Sequence, residues 1–264
     1  MLILLSPAKT LDMESPVRVA GPTQPDFMEE SGKLVTSLRQ YRKGKLSDLM
    51  KISEPLAELN VERFKAWQPP FNADNSRPAI QAFRGDVYVG LDADSLKKRD
   101  LEFAQKHLRI LSGLYGVLKP LDLIQAYRLE MGTSLKTRRG KNLYDFWGEQ
   151  ITRYLNEELD AMKQPIVINL ASNEYFKSVK KNQLAAPLIT PVFKDEKNGN
   201  YKIISFFAKK ARGAMARHLI LSRAKDFAAV KAFDGLGYRL DAKESSEGQL
   251  VFLRSEKAAQ PYLA

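Results

Sequence analysis

The chain has 264 residues, 44% apolar and 28% charged, the balance of a folded globular protein, which excludes disorder as its main state. It holds no cysteine and only two histidines, His107 and His218. That removes disulfides, thiolate zinc sites, cysteine-ligated iron–sulfur clusters and thiol-based peroxide chemistry, and no Glu-x-x-His or His-x-x-x-His spacing offers a histidine metal centre.

Forty-two Lys and Arg against 31 Asp and Glu give a formal charge of +11. The excess is uneven: residues 1–100 carry fifteen basic and fourteen acidic groups, and residues 101–264 carry twenty-seven and seventeen. Such asymmetry favours a polyanionic partner, because a charge serving only solubility has no reason to be concentrated. Nothing resembles a membrane span, since the opening Leu2-Ile3-Leu4-Leu5 run stops at Ser6-Pro7, and a cytoplasmic protein without membrane contact is expected.

No repeat, low-complexity tract or long linker divides the chain, so one domain over residues 1–264 is expected. Leu2 to Leu5 predicts a short buried strand that ends in a loop, Ser6 to Thr10. Residues 15–26, with Pro16, Pro22 and Pro25, predict irregular chain. Helices are expected over Phe27 to Tyr41, Leu46 to Lys51 and Ser53 to Trp67, the last opening on a Ser cap and an early Pro. Ser76 to Phe83 predicts a short helix and Val87-Tyr88-Val89 a short strand. Asp100 caps a helix whose apolar positions, Leu101, Ala104, Leu108 and Leu111, keep helical spacing up to Gly113. A strand is expected at Tyr127 to Met131, an amphipathic helix over Leu143 to Met162 and a buried strand at Ile166 to Ile168. Asn198-Gly199 predicts a hairpin between Pro191 to Phe193 and Lys202 to Phe207, and strands at Gly237 to Leu240 and Gln249 to Leu253 close the chain. The expected fold class is α/β (α+β), a mixed β-sheet surrounded by helices. No P-loop or Gly-x-Gly-x-x-Gly follows a strand.

Four features bear on function. Tyr201 to Lys225 carries seven basic residues and no acidic one, and at about 100° per residue Lys209, Lys210, Arg212, Arg217 and Arg223 share one face of a helix, with Gly213 among them. This face either contacts phosphates or is a solvated surface. A second basic stretch, Lys136, Arg138, Arg139 and Lys141, lies on an expected loop with the same two readings. Leu108 to Lys119, with Gly113 and Gly116, has the form of a helix ending in a glycine hairpin whose N–H groups face a phosphate, or else of a glycine-capped helix and tight turn. A fourth set, Ser6, Lys9, Arg128, Glu130, Asn169, Ser172, Tyr175 and Lys177, would line a small-molecule pocket at strand ends, without any spacing that identifies a nucleophile or a general base.

Ser6 to Leu11, Leu111 to Asp122, Tyr127 to Gly132, Asn169 to Ser172 with Glu174 to Lys177, and Ala208 to Gly213 closely resemble, in order along the chain, the YaaA family of bacterial peroxide-stress proteins. The resemblance implies a single α/β domain of the fold called cantaloupe, with a helix-hairpin-helix element and a positively charged cleft that binds duplex and structured DNA. It also implies a role in surviving hydrogen peroxide and in lowering free iron, which limits oxidative damage to DNA. Carried onto this sequence, it places DNA contacts at Ser112, Gly113, Tyr115, Gly116 and Lys119 and on the helix with Lys209, Lys210, Arg212 and Arg217. Arg138 and Arg139 join them from the residue reading. The leading expectation is therefore a non-enzymatic DNA-binding protein of the oxidative stress response, acting on duplex, bubble or junction DNA with no cofactor and no metal. The competing expectation is an enzyme acting on a small anionic metabolite or nucleotide near Lys9, Arg128 and Lys177.

Overall fold

A computed structural model describes residues 1–262. Leu2-Ile3-Leu4-Leu5 is apolar at every position and has no solvated face, so it belongs between two neighbours in a parallel arrangement. It forms β1 (Leu2–Leu5), at the centre of a sheet with β2 (Leu108–Ser112), β3 (Gly116–Leu118), β4 (Val167–Asn169), β5 (Leu188–Lys197), β6 (Asn200–Lys202), β7 (Arg239–Ser246) and β8 (Gln249–Arg254). The spatial order is β7-β8-β5-β4-β1-β2-β3, with β6 folded back on β5. Ile3 stands opposite Leu108 on one side and Ile168 on the other, both parallel. The strands β4, β5 and β8 continue in parallel, while β3, β6 and β7 are antiparallel to their neighbours. The expected mixed sheet is thus present.

Helices cover it: α1 (Met28–Leu38), α2 (Lys43–Met50), α3 (Glu54–Ala66), α4 (Asp86–Leu91), α5 (Lys98–His107), α6 (Leu143–Trp147), α7 (Gln150–Asp160), α8 (Ser205–Leu221) and α9 (Phe227–Lys231). The first three match the sequence expectation closely. Asn198 and Gly199 take φ of 55° and 75° at the β5–β6 turn, the positive angles that this pair was expected to adopt, although β6 ends at Lys202 and α8 starts at Ser205.

Five segments depart from expectation. Val87 to Val89 lies inside α4, because Gly85 (φ 138°) turns the chain ahead of Asp86 and the new helix packs along α8. Tyr127 to Met131 has no strand partner among the described residues, and Ser76 to Phe83 shortens to a single turn, Ala79–Ala82. The helix expected over Leu143 to Met162 breaks at Gly148, whose φ of 52° ends α6 before α7 begins. The largest difference is at the fifth. Asp100 does cap α5 from its first turn, its carboxylate accepting the Lys97 N–H at 3.0 Å, but the helix stops at His107. From Leu108 to Ser112 every residue is buried, and a run buried on both faces is satisfied by a central strand and not by a helix with one apolar stripe.

Candidate functional site

In the sheet, the chain leaves β1 towards β2 on one side, and leaves β4 towards β5 on the other. The two crossovers diverge between β1 and β4, and the crevice beyond the carboxyl ends of such strands is where open α/β sheets place ligands. Ser6 follows β1 there, and Leu170 to Ser172 follows β4. The Ser6 hydroxyl accepts the Ser172 N–H at 2.8 Å and lies 3.3 Å from the Ser172 hydroxyl. Above them opens a cavity of about 480 Å³, bounded by the Ser6–Thr10 loop, Arg84 to Tyr88, Leu170, Ser172, Glu174 and Tyr175, and Lys209 and Arg212 of α8. A narrow cleft holding Arg128 and Glu130 adjoins it through Lys9 and Tyr175.

Charge is distributed unevenly in this cavity. Lys9 is held by Glu130 at 2.7 Å, and Glu130 is shared with Arg128 at 3.0 Å. Arg84 reaches Asp12 at 3.1 Å and Asp94 at 3.3 Å. Lys209 stands 3.8 Å from Asp86. Arg212 has no carboxylate or hydrogen-bond partner among the described residues, and burial lowers its pKa. Burial also pushes the Tyr88 and Tyr175 hydroxyls far up, so both are neutral donors; Tyr88 donates to the Ser6 carbonyl at 3.1 Å.

Of the residues expected to form a pocket, Ser6, Lys9, Ser172 and Tyr175 line the cavity, and Arg128 and Glu130 line its side cleft. Asn169 is buried and turned inward, its side chain accepting the Ala171 N–H at 3.0 Å. Lys177 lies outside, over the Tyr144 ring. Arg84 and Asp86 were not anticipated, since only the pairing of Thr10–Leu11 with Phe83–Arg84 brings them to the loop.

The residues expected to touch DNA are more dispersed. Ser112 to Gly116 is the buried turn of the β2–β3 hairpin, so the helix-hairpin expected here is not formed. The Ser112 hydroxyl bonds the Tyr127 hydroxyl at 2.7 Å and accepts the Tyr115 N–H at 3.0 Å, and Tyr115 is buried against Trp67. A Cβ on Gly113 would lie 2.2 Å from the Leu129 carbonyl oxygen, and one on Gly116 2.8 Å from the Trp147 ring, so close packing accounts for both glycines. Lys119 pairs with Asp26 at 2.9 Å, and Arg139 pairs with Glu30 at 2.6 Å while Arg138 is exposed.

On α8 the cationic face is largely covered by its neighbours. Arg217 donates to the Leu91 and Asp92 carbonyls at 3.1 and 2.8 Å, Lys210 is half-buried, and Arg223, expected on the same face, lies past the end of the helix and holds Asp100 at 3.0 Å. Gly213 faces α4 and not solvent: a Cβ there would fall 1.8 Å from the Val87 carbonyl oxygen.

A hairpin of two helices does occur elsewhere. The helix α2 ends at Lys51, which takes the left-handed conformation (φ 53°, ψ 51°), Ile52 follows, and Ser53 opens α3. Leu46 and Ala57 are buried from either side of the turn, and the Ser47 hydroxyl donates to the Ile52 carbonyl at 2.6 Å. Among the described residues no side chain caps α3, so the N–H groups of Glu54 and Leu56 have no acceptor in the helix; Pro55 between them has none to offer, and the Glu54 carboxylate of that turn is drawn to Lys43. Arg42, Lys45 and Lys51 are exposed and without a carboxylate partner among the described residues, whereas Lys43 reaches Glu54 at 3.3 Å. The sequence signal was Leu49-Met50-Lys51-Ile52-Ser53 ahead of Pro55, hidden because Lys51 stands where glycine usually marks such a turn.

Among the described residues, no helix is long and apolar enough to cross a membrane, and no group of three or more His, Asp or Glu side chains is placed to hold a metal ion. The family model described as "Peroxide stress protein YaaA" matches residues 1–244. A UPF0246 protein of Aliivibrio fischeri (strain ES114) is 54% identical over 257 residues, covering 97% of this chain and 99% of the relative. A UPF0246 protein of Marinomonas sp. (strain MWYL1) is 54% identical over 258 residues, covering 98% of each. With a match over nearly its whole length, the chain belongs to the peroxide stress protein YaaA family.

Proposed function

We propose that this peroxide-stress protein binds DNA by its phosphate backbone, with the α2–α3 hairpin as the principal contact. The observation that carries this reading is the exposed turn Lys51-Ile52-Ser53, which offers the N-terminus of a thirteen-residue helix without a side-chain cap, on a hairpin whose exposed cations Arg42, Lys45 and Lys51 have no carboxylate partner among the described residues. Backbone N–H groups and the helix dipole favour an anion there, and the neighbouring charges add an attraction that is indifferent to base identity. Binding of this kind suits duplex, bubble and junction DNA alike, and occupancy of the strand is how such a protein would shield it from iron-driven oxidation.

Fluorescence anisotropy of labelled duplex, bubble and four-way junction, each titrated with salt, tests this. Log affinity should fall linearly with log salt for all three, and the triple variant Arg42→Gln, Lys45→Gln, Lys51→Gln should flatten the duplex slope by about 2.7. An unchanged slope in the folded triple variant, or no binding at low salt, overturns the reading.

A further inference from the structure

The cavity between β1 and β4 is a separate matter from the hairpin. It is too small to admit a duplex, but about 480 Å³ lies within the roughly 300–1,000 Å³ of small-ligand sites. Its walls are partly apolar, with Pro7, Val87 and Leu170, and its floor carries the hydroxyls of Ser6 and Ser172. Beside that floor stands Arg212. Arg212 is half-buried, and a guanidinium partly drawn out of water favours a counter-charge; every other cation of the cavity has one within 3.8 Å. Of the two acidic groups on the lining, neither meets Arg212: Asp86 stands 3.8 Å from Lys209, and Glu174 accepts the Gly132 N–H at 2.9 Å.

We propose that this cavity binds a phosphate monoester carried on a small organic group, with Arg212 gripping the phosphate through its planar fork. Lys209, half-exposed and only loosely paired with Asp86 at 3.8 Å, turns to the phosphate to supply the second positive charge, which answers the charge of −1.5 to −2 that such a group bears at neutral pH. Two parallel N–H donors in one plane suit two phosphate oxygens, and the Ser6 and Ser172 hydroxyls stand at the cavity floor to bond a third. The apolar wall then faces the organic part. The same chemistry has two sources, a free nucleotide or metabolite and the 5′-phosphate at the end of a DNA strand.

Thermal shift and calorimetric titration of the full chain test the proposal, with inorganic phosphate, adenosine monophosphate, adenosine, and short oligonucleotides bearing either a 5′-phosphate or a 5′-hydroxyl. Adenosine monophosphate should raise Tm where adenosine does not, and Arg212→Gln should abolish the rise while its own ligand-free Tm stays level or increases. Should Arg212→Gln not fold, Lys209→Gln at the exposed rim serves instead, with affinity lowered at least about tenfold. Stabilisation by the 5′-phosphorylated oligonucleotide alone supports the phosphate site and assigns its source to DNA. No response to any phosphate-bearing probe, or a response that survives Arg212→Gln, overturns the proposal. The variant lacking the hairpin cations should keep its full response to adenosine monophosphate, so that failure of the hairpin reading and failure of this one are told apart.

Discussion

Asp122 is the carboxyl group with the most to lose from its position. It is fully buried, and burial pushes its pKa up from 3.8 to about 6 against the opposing bonds from the Thr23 hydroxyl (2.5 Å) and the Lys119 N–H (2.7 Å). A group raised in the folded state favours folding while both states hold the proton, below about pH 4, and that contribution is lost as pH rises through about 6. The predicted loss at neutral pH is up to about 3 kcal/mol. Asp122→Asn should therefore gain on the unmodified protein by about 2–3 kcal/mol between pH 4 and pH 7, read from urea midpoints across that range. A flat difference would show that the two hydrogen bonds keep Asp122 charged without cost. Single residues of this kind were only half legible in the sequence. Ser6, Lys9 and Ser172 could be placed at a strand end because their strands were obvious, but nothing in the sequence distinguished Arg212, facing the cavity, from Arg217, tied down on carbonyl oxygens.

At the scale of elements, the same ambiguity has a physical source. An amphipathic projection separates apolar from charged positions but does not say what packs against the charged side, and here α4 lies along the face of α8 that projection assigns to solvent. Gly90 and Gly213 permit that approach, with a Cβ on Gly90 falling 2.0 Å from the Lys210 carbonyl oxygen. Backbone, unlike the tip of a flexible side chain, has little room to yield. Gly213→Ala is predicted to destabilise by about 1–3 kcal/mol through overpacking, despite the higher helix propensity of alanine. Gly44→Ala, in α2 with nothing within 4 Å of its added Cβ, should be neutral or stabilising by up to about 1 kcal/mol. Denaturant unfolding of the two variants checks the contrast, and equal effects would mean that α4 and α8 are free to move apart. Gly113 and Gly116 were misread for a related reason: a glycine that admits a phosphate and a glycine that admits a neighbouring tryptophan leave the same trace in a sequence.

At the scale of the molecule, the strands were legible one by one, but their order was not. The strand β1 pairs with segments more than 100 residues away on both sides, and burial patterns identify a central strand without naming its partners. That non-local arrangement bears on whether the chain unfolds as one unit. Chains of this length often do not, so cooperativity here is an informative outcome. The two tryptophans report on different regions yet converge on one turn: Trp67, after α3, donates to the Tyr115 hydroxyl at 3.0 Å, and Trp147, at the end of α6, donates to the Gly113 carbonyl at 3.1 Å. Both belong to a single buried core that also contains β1 and the inner face of α8. Removing the α1–α3 layer would strip Trp67 from that turn, and opening the sheet at β1 would separate β2 from β4, so neither part has a complete core alone. We therefore propose one cooperative domain. The fluorescence of Trp67→Phe and of Trp147→Phe should each lose its signal at the same urea midpoint as that variant's far-ultraviolet circular dichroism. If the tryptophan kept in Trp147→Phe reported an earlier transition than the circular dichroism, the N-terminal helical layer would be a separate unit, and the hairpin proposed to grip DNA would then ride on a part able to open independently of the cavity.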